Sequence, residues 1–192
     1  EFICKNLPEL KITLEHITTE DATLYINESK VNVSASITPH HLAMNRNEIF
    51  VGGIRPHLYC LPILKSERHR RALVKMATSG NSKFFLGTDT APHLTGDKES
   101  ECGCAGIFNA TYCMSILTQI FEDEDSLENL EKFTSINGAK HYNLEPNKDK
   151  ITLKKNITPK DFVKKLYFNS KDITVFSPSF KVYWDIVTDK NI

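Results

Sequence analysis

The sequence predicts an α/β fold built on a parallel sheet. Short apolar or β-branched runs at 10–16, 31–37 and 84–86 read as strands. Each is followed by a helical pattern, giving strand-plus-helix units over 11–28, 31–79 and 83–122. Strands that alternate with helices pair in parallel, because each connection must cross back over a face of the sheet. The run Phe84-Phe85-Leu86 is apolar at every position, as expected of a strand covered on both faces.

The elements follow in order. Leu10 to His16 alternates and ends in the ionisable pair Glu15-His16. Thr18 with Asp21 three residues on resembles a capping box, so a short helix is expected through Ala22, Leu24 and Tyr25. Val31 to Ile37 is the second strand, closed by Thr38-Pro39-His40-His41. Paired histidines suggest a metal, but neighbours in an extended chain point in opposite directions, which favours a structural role for both. Asn45 to Leu64 reads as a long irregular segment in which Arg55 and His57 are either anion contacts or solvated side chains.

Ser66 should cap a helix to Ser79, with Ala72, Leu73 and Met76 inward and Gly80 as its stop. Gly87 then allows close packing, and Asp89 falls at the carboxyl end of a buried strand. Pro92 cannot continue a ladder, so His93 lies in the loop beyond. An Asp in that place either binds a metal, moves a proton or merely caps the next helix; the His either binds an anion or metal or is solvated. Cys102 and Cys104 are one residue apart with no second pair, a weak zinc pattern. Gly103, Ala105 and Gly106 suit a close backbone approach, and a helix is expected from Gly106 to Glu122, whose first N–H groups favour an anion. Ser126 should cap a further helix through Leu130 and Phe133. From Lys148 the chain turns Lys-rich; Thr158-Pro159 reads as a helix start and 180–187 as a strand.

Composition narrows the function. With 40% hydrophobic residues the chain can bury a core, and with Lys+Arg and Asp+Glu at 24 each no global field points to nucleic acid or an anionic membrane. No apolar run reaches the roughly 20 residues that span a bilayer, and no secretory leader is evident. Five irregularly spaced cysteines fit a reduced, cytoplasmic protein. The chain opens in mid-pattern without Met, as expected of a piece of a longer polypeptide.

Five segments together are specific: Leu14-Glu15-His16-Ile17-Thr18-Thr19, Ile37-Thr38-Pro39-His40-His41-Leu42, Gly52 to Lys65, Gly87 to His93, and Cys102-Gly103-Cys104-Ala105-Gly106. In this order, from about Leu10 to Leu144, they resemble dihydroorotase, the single-function class of the amidohydrolase superfamily. The resemblance fades in the tail. It implies the C-terminal part of a (β/α)8 TIM-type barrel, about three strands over 1–147, with an extension at 148–192 packed on it.

It further implies two zinc ions per complete site and reversible cyclisation of N-carbamoyl-L-aspartate to L-dihydroorotate in de novo pyrimidine (UMP) biosynthesis. The family is homodimeric. By the same resemblance, His16 matches a ligand of the second metal and Asp89 a ligand of the first that also shuttles a proton. His93 matches a contact to the substrate carboxylate, and the backbones of Leu61 and Ala105 match groups that hold the ring's amide edge. The family's first-strand histidine pair, its carbamylated lysine, another metal-binding histidine and its early Arg and Asn clamp have no counterpart here. The remaining zinc ligands are therefore expected in a missing N-terminal half, and this chain alone is expected to be inactive. Hydantoinase- or allantoinase-type hydrolysis and a non-catalytic scaffold are the alternatives.

Overall fold

The structure, a computed structural model, describes residues 2–30 and 32–187. Val31, the first residue of the expected second strand, lies outside these residues, as do 188–192 of the expected extension.

After a short helix α1 (Phe2–Asn6), strand β1 (Ile12–Leu14) leads to helix α2 (Glu20–Glu28). Strand β2 (Val33–Ile37) passes directly into helix α3 (Pro39–Ala43). Single-turn helices at Arg46–Phe50 and Pro56–Leu58 punctuate the next segment, as expected of an irregular stretch, before helix α4 (Glu67–Thr78) and strand β3 (Phe84–Leu86). The three strands form one parallel sheet in the order β1-β2-β3, with Leu14 opposite Ala35 and Ile37 opposite Leu86. Strand β2 is buried at every residue, whereas Leu14 on β1 is 37% exposed. That difference marks β1 as an open edge, and Leu7 and Leu10 beside it are exposed as well.

Beyond β3 come helix α5 (Thr95–Lys98), helix α6 (Cys113–Asp123) and helix α7 (Asn137–His141). The core lies between the sheet and these helices. Ile26, Ile37, Leu73, Phe84, Ile116 and Phe121 are among its fully buried side chains, each worth about 1.5–3 kcal/mol of removal from water. The tail forms two antiparallel pairs: β4 (Leu153–Lys155) with β7 (Trp184–Ile186), and β5 (Lys165–Phe168) with β6 (Lys171–Thr174). Phe176 and Val182 from this tail enter the same core as α6.

Several local expectations are corrected. Thr19 rather than Thr18 caps α2, its hydroxyl accepting from the Ala22 N–H at 3.1 Å. The two are adjacent, and only Thr19 precedes the first turn with its side chain free to reach back. Ser66 precedes α4 without a side-chain cap bond, and Leu73, Val74, Ala77 and Thr78 are the residues that α4 buries. No helix starts at Gly106: its φ of +153° is closed to helix, and Ile107 bridges Thr90 in parallel instead. The helix begins at Cys113, so its free N–H groups do not serve the Ala105 region. Ser126 caps nothing through its side chain; a single turn at Leu127–Asn129 and a wide-pitch turn at Lys132–Ile136 lead into α7. Thr158-Pro159 does not start a helix, and only Trp184–Ile186 of the expected 180–187 segment is strand.

Candidate functional site

All three parallel strands end on one side, and two of the sequence-predicted residues, His16 and Asp89, follow strand ends there. His16 follows β1 by two residues and Asp89 follows β3 by three. Both have left-handed backbones, φ +41° and +42°, a state in which Asp and His are enriched among non-glycine residues. Such backbones cost of order 1–3 kcal/mol each and persist where the surroundings hold them. The hold is visible. The His16 N–H donates to Ser36 Oγ at 2.9 Å, and the Ile17 N–H to the Ser36 carbonyl at 3.1 Å. Gly87 N–H donates to the Ile37 carbonyl at 3.2 Å, and a Cβ on Gly87 would stand 2.8 Å from Ser36 Cβ. Ser36, in the central strand, therefore spaces the two flanking turns.

Asp89 is exposed at the mouth of this edge, whereas His16 Nδ1 is buried with no hydrogen-bond partner. His16 is felt by the histidines of α3. Burial first, then His41 and His16, push His40 well below the usual imidazole range. Burial lowers His41 to about 4, partly opposed by the Pro62 carbonyl. Burial and the charge of Asp89 raise the Cys60 thiol to about 12.

The expectation that His40 and His41 lie on opposite sides of an extended chain is wrong, because Thr38 caps and Pro39 opens a helix there. Their rings stand 4.6 Å apart, and among the described residues His40, His41 and Cys60 are the group whose potential ligand atoms converge, within 4.8 Å. Cys102 and Cys104 do not belong to it. Within it His40 Nε2 is buried without a hydrogen-bond partner, whereas His41 is hydrogen-bonded at both nitrogens. His41 Nε2–H donates to the Pro62 carbonyl at 2.8 Å, leaving Nδ1 to accept from the Thr38 hydroxyl at 2.6 Å. Neither nitrogen is free for an ion unless these bonds break.

His93 and Ala105 meet directly: His93 Nε2–H donates to the Ala105 carbonyl at 3.1 Å. Leu61 is 59% exposed, on the loop whose Tyr59 carbonyl accepts the Gly106 N–H at 3.0 Å. Arg55 and His57 are not free for an anion, since Glu48 pairs with the first at 3.3 Å and Glu99 with the second at 2.8 Å. A cleft of about 620 Å3 between the 46–65 segment and Gly103 is an apolar surface groove lined by none of His16, Asp89 and His93.

Three positions escape the sequence reading. Ser36 looks like any small strand residue. Asn109, fully buried, donates through Nδ2 to the Thr88 carbonyl at 2.7 Å and to His40 Nδ1 at 3.1 Å, and its N–H bonds Thr90 Oγ1. It thus grips both neighbours of Asp89. Lys98, nearly buried, is spent on backbone carbonyls. None of the three carries a signal in its local pattern, so only tertiary contacts reveal them.

Carboxylate and imidazole at the carboxyl edge of a parallel sheet are the features of a metal-dependent hydrolase barrel. The Amidohydrolase family profile matches residues 4–180, and the chain belongs to that family. Among curated relatives it is 51% identical over 183 residues to the dihydroorotase of Rhizobium leguminosarum bv. trifolii and 52% identical over 182 residues to that of Agrobacterium fabrum. Each alignment covers 95% of this chain and 53% of the relative, so the chain spans about half the length of the proteins it matches.

Among solved structures, Saccharomyces cerevisiae dihydroorotase in complex with 5-fluoroorotic acid superposes with a TM-score of 0.84 at 31% identity. That match covers 97% of this chain and 54% of the yeast chain. Campylobacter jejuni dihydroorotase gives 0.81 at 31% identity over the same shares. An Arthrobacter aurescens L-hydantoinase, at 16% identity and 0.72, shares the fold. The three parallel strands with their helices are part of the amidohydrolase barrel, as the sequence predicted.

Membership implies a metal cofactor, and the residues present fit one. His16 offers a buried nitrogen without a partner, Asp89 an exposed carboxylate on the same edge, and both sit in strained turns held by neighbours. No helix among the described residues is long and apolar enough to cross a membrane.

Proposed function

We propose that this chain is the C-terminal part of a dihydroorotase that interconverts N-carbamoyl-L-aspartate and L-dihydroorotate in de novo pyrimidine synthesis. It would work as a cytoplasmic homodimer with two zinc ions per complete site. The observation that carries the reading is the pairing of His16 and Asp89 on one sheet edge, each in a left-handed turn, with His16 Nδ1 buried and unpartnered. The two dihydroorotase structures at 31% identity support the choice of substrate.

When bound, the metals supply an activated water and polarise the carbonyl it attacks. His16 and Asp89 would hold them together with ligands from the rest of the barrel. Asp89, an exposed carboxylate just beyond the end of β3, would also carry the proton to the ring nitrogen. His93 receives the substrate carboxylate. The backbones of Leu61 and Ala105 read the amide edge by paired donor and acceptor. In this reading residues 1–147 belong to the barrel part and the chain from 148 onward to the extension, whose Phe176 and Val182 enter the core. The open β1 edge and its exposed leucines support a requirement for further barrel strands, so this chain alone is inactive.

The test uses the full-length protein beside this chain. About two zinc ions per full-length subunit, turnover of dihydroorotate, inhibition by orotate, and none of these in the chain alone support the reading. Negligible metal in the full-length protein favours a scaffold, and turnover of hydantoins without competition by orotate favours a hydantoinase.

A further inference from the structure

Lys98 ends α5 and is 3% exposed. Its ammonium meets three backbone carbonyls, those of Tyr59 at 2.8 Å, Cys104 at 2.7 Å and Gly106 at 2.9 Å. An ammonium has three N–H donors, so its capacity is filled. Among the described residues no carboxylate pairs with it, and burial lowers its affinity for a proton. Burying a cation on carbonyl dipoles, with the Tyr59 ring 5.6 Å from its nitrogen and no carboxylate, costs desolvation that a carboxylate would have offset. The cost is met for a geometric return.

What Lys98 joins are two loops rather than two regular elements. Tyr59 stands two residues before Leu61, while Cys104 and Gly106 flank Ala105. The Gly106 N–H reaches the same Tyr59 carbonyl at 3.0 Å, and His93 Nε2–H closes on Ala105 O. Gly106 leaves no slack on the far side: a Cβ there would stand 2.7 Å from Ala91 Cβ and 2.8 Å from His93 Nε2. Among the described residues neither Leu61 nor the Ala105 N–H takes part in a hydrogen bond. The clamp therefore fixes the two segments while leaving free the backbone groups that would face a ligand.

We infer that Lys98 is a positioning residue that sets the spacing of the Leu61 and Ala105 backbones and thereby the affinity for the cyclic amide edge of the substrate. The inference rests on the dihydroorotase reading above and adds to it the element that preorganises recognition. Three donors radiating from one nitrogen suit three carbonyls around a point, a geometry the planar guanidinium fork of arginine does not reproduce.

The experiment compares full-length wild type with Lys98→Met and Lys98→Arg at equal metal content. Expected are a rise of about tenfold or more in KM for dihydroorotate and in Ki for orotate in Lys98→Met, a smaller rise in Lys98→Arg, and kcat within about threefold of wild type. Hydrogen exchange at the Gly106 amide should quicken in both variants while the β2 amides stay protected. Unchanged Ki and unchanged Gly106 exchange in folded, metal-loaded Lys98→Met overturn the inference. If Lys98→Met does not fold, Lys98→Arg carries the same two readouts, and no change in either overturns it. Wild type that neither turns over dihydroorotate nor binds orotate sinks the functional reading first, and the role of Lys98 in recognition with it.

Discussion

The His93 ring is tied to the Ala105 carbonyl, Nε2 to O at 3.1 Å, so two residues expected to contact substrate separately are one hydrogen-bonded unit. The bond requires the proton on Nε2, since a carbonyl only accepts. It stations the imidazole beside Gly106, where a Cβ would crowd it. Replacing the ring with alanine removes both the expected contact to the substrate carboxylate and the brace on Ala105. His93→Ala in the full-length protein should raise KM for dihydroorotate by about tenfold or more, with kcat less affected. Steady-state kinetics with orotate inhibition checks this; an unchanged Ki for orotate would exclude the carboxylate contact.

Gly87 tests the spacing of the two metal-side turns. Its φ is ordinary, and what excludes a side chain is space: a Cβ would lie 2.8 Å from Ser36 Cβ and 2.9 Å from Ser36 Oγ. That hydroxyl accepts the His16 N–H. Gly87→Ala should cost about 1–3 kcal/mol by overpacking and reduce bound metal. Adding Ser36→Gly removes the clashing atoms, so the double variant should recover part of the packing loss while the His16 turn stays loose. Chemical denaturation and metal analysis of the four proteins measure the coupling. Simple additivity would mean that Ser36 does not link the turns.

The parallel sheet was legible because strand and helix patterns differ in period and alternate three times along the chain. So was the position of Asp89, since an apolar run ending at Gly87 leaves little freedom about where the carboxyl edge falls. The misreadings have separate causes. Gly106 to Ala110 has helical spacing, yet Ile107 pairs with Thr90 across the chain, and that tertiary bond outweighs propensity. The helix at His40-His41 carried its own signal in Thr38-Pro39, a capped start with proline at the first position, and was missed because the preceding strand was extended through it. Lys98 and Asn109 gave no signal at all, since a Lys at the end of a short helix or an Asn in a loop is ordinarily solvated.

Asn109 should matter more to Asp89 than its distance in sequence suggests. Its Nδ2 bonds the Thr88 carbonyl and His40 Nδ1, and its Oδ1 is buried without a partner. Asn109→Leu orphans two buried acceptors at about 1–3 kcal/mol each and frees the residues flanking Asp89. The expected outcome is a destabilised protein with weakened metal at the Asp89 side and a fall in kcat greater than any rise in KM. Titration with a chelator, alongside thermal unfolding, separates the two effects. Loss of stability with normal metal retention would make Asn109 a core residue only.

His41 predicts how the fold meets acid. Burial holds its folded pKa at about 4, below the ordinary 6.5. The unfolded chain therefore binds the extra proton first, and between pH 6.5 and about 4 it carries more protons than the folded state. Stability is complete above pH 6.5, falls as pH drops through that window, and levels off below about 4. A shift of that size corresponds to about 3 kcal/mol for a residue only 2% exposed. Glu67 runs in the same direction at lower pH: hydrogen bonds from Arg70 hold it at about 2, so its contribution is lost as pH falls from 4.5 through 2. Replacing His41 with glutamine removes its share of the first slope, leaving that of His40, and leaves the second. Denaturant unfolding at half-unit intervals from pH 7 to 4 should show a shallower decline in the variant than in wild type. Parallel declines would place the acid sensitivity elsewhere, with His40, buried and lowered in the same way, as the next group to replace.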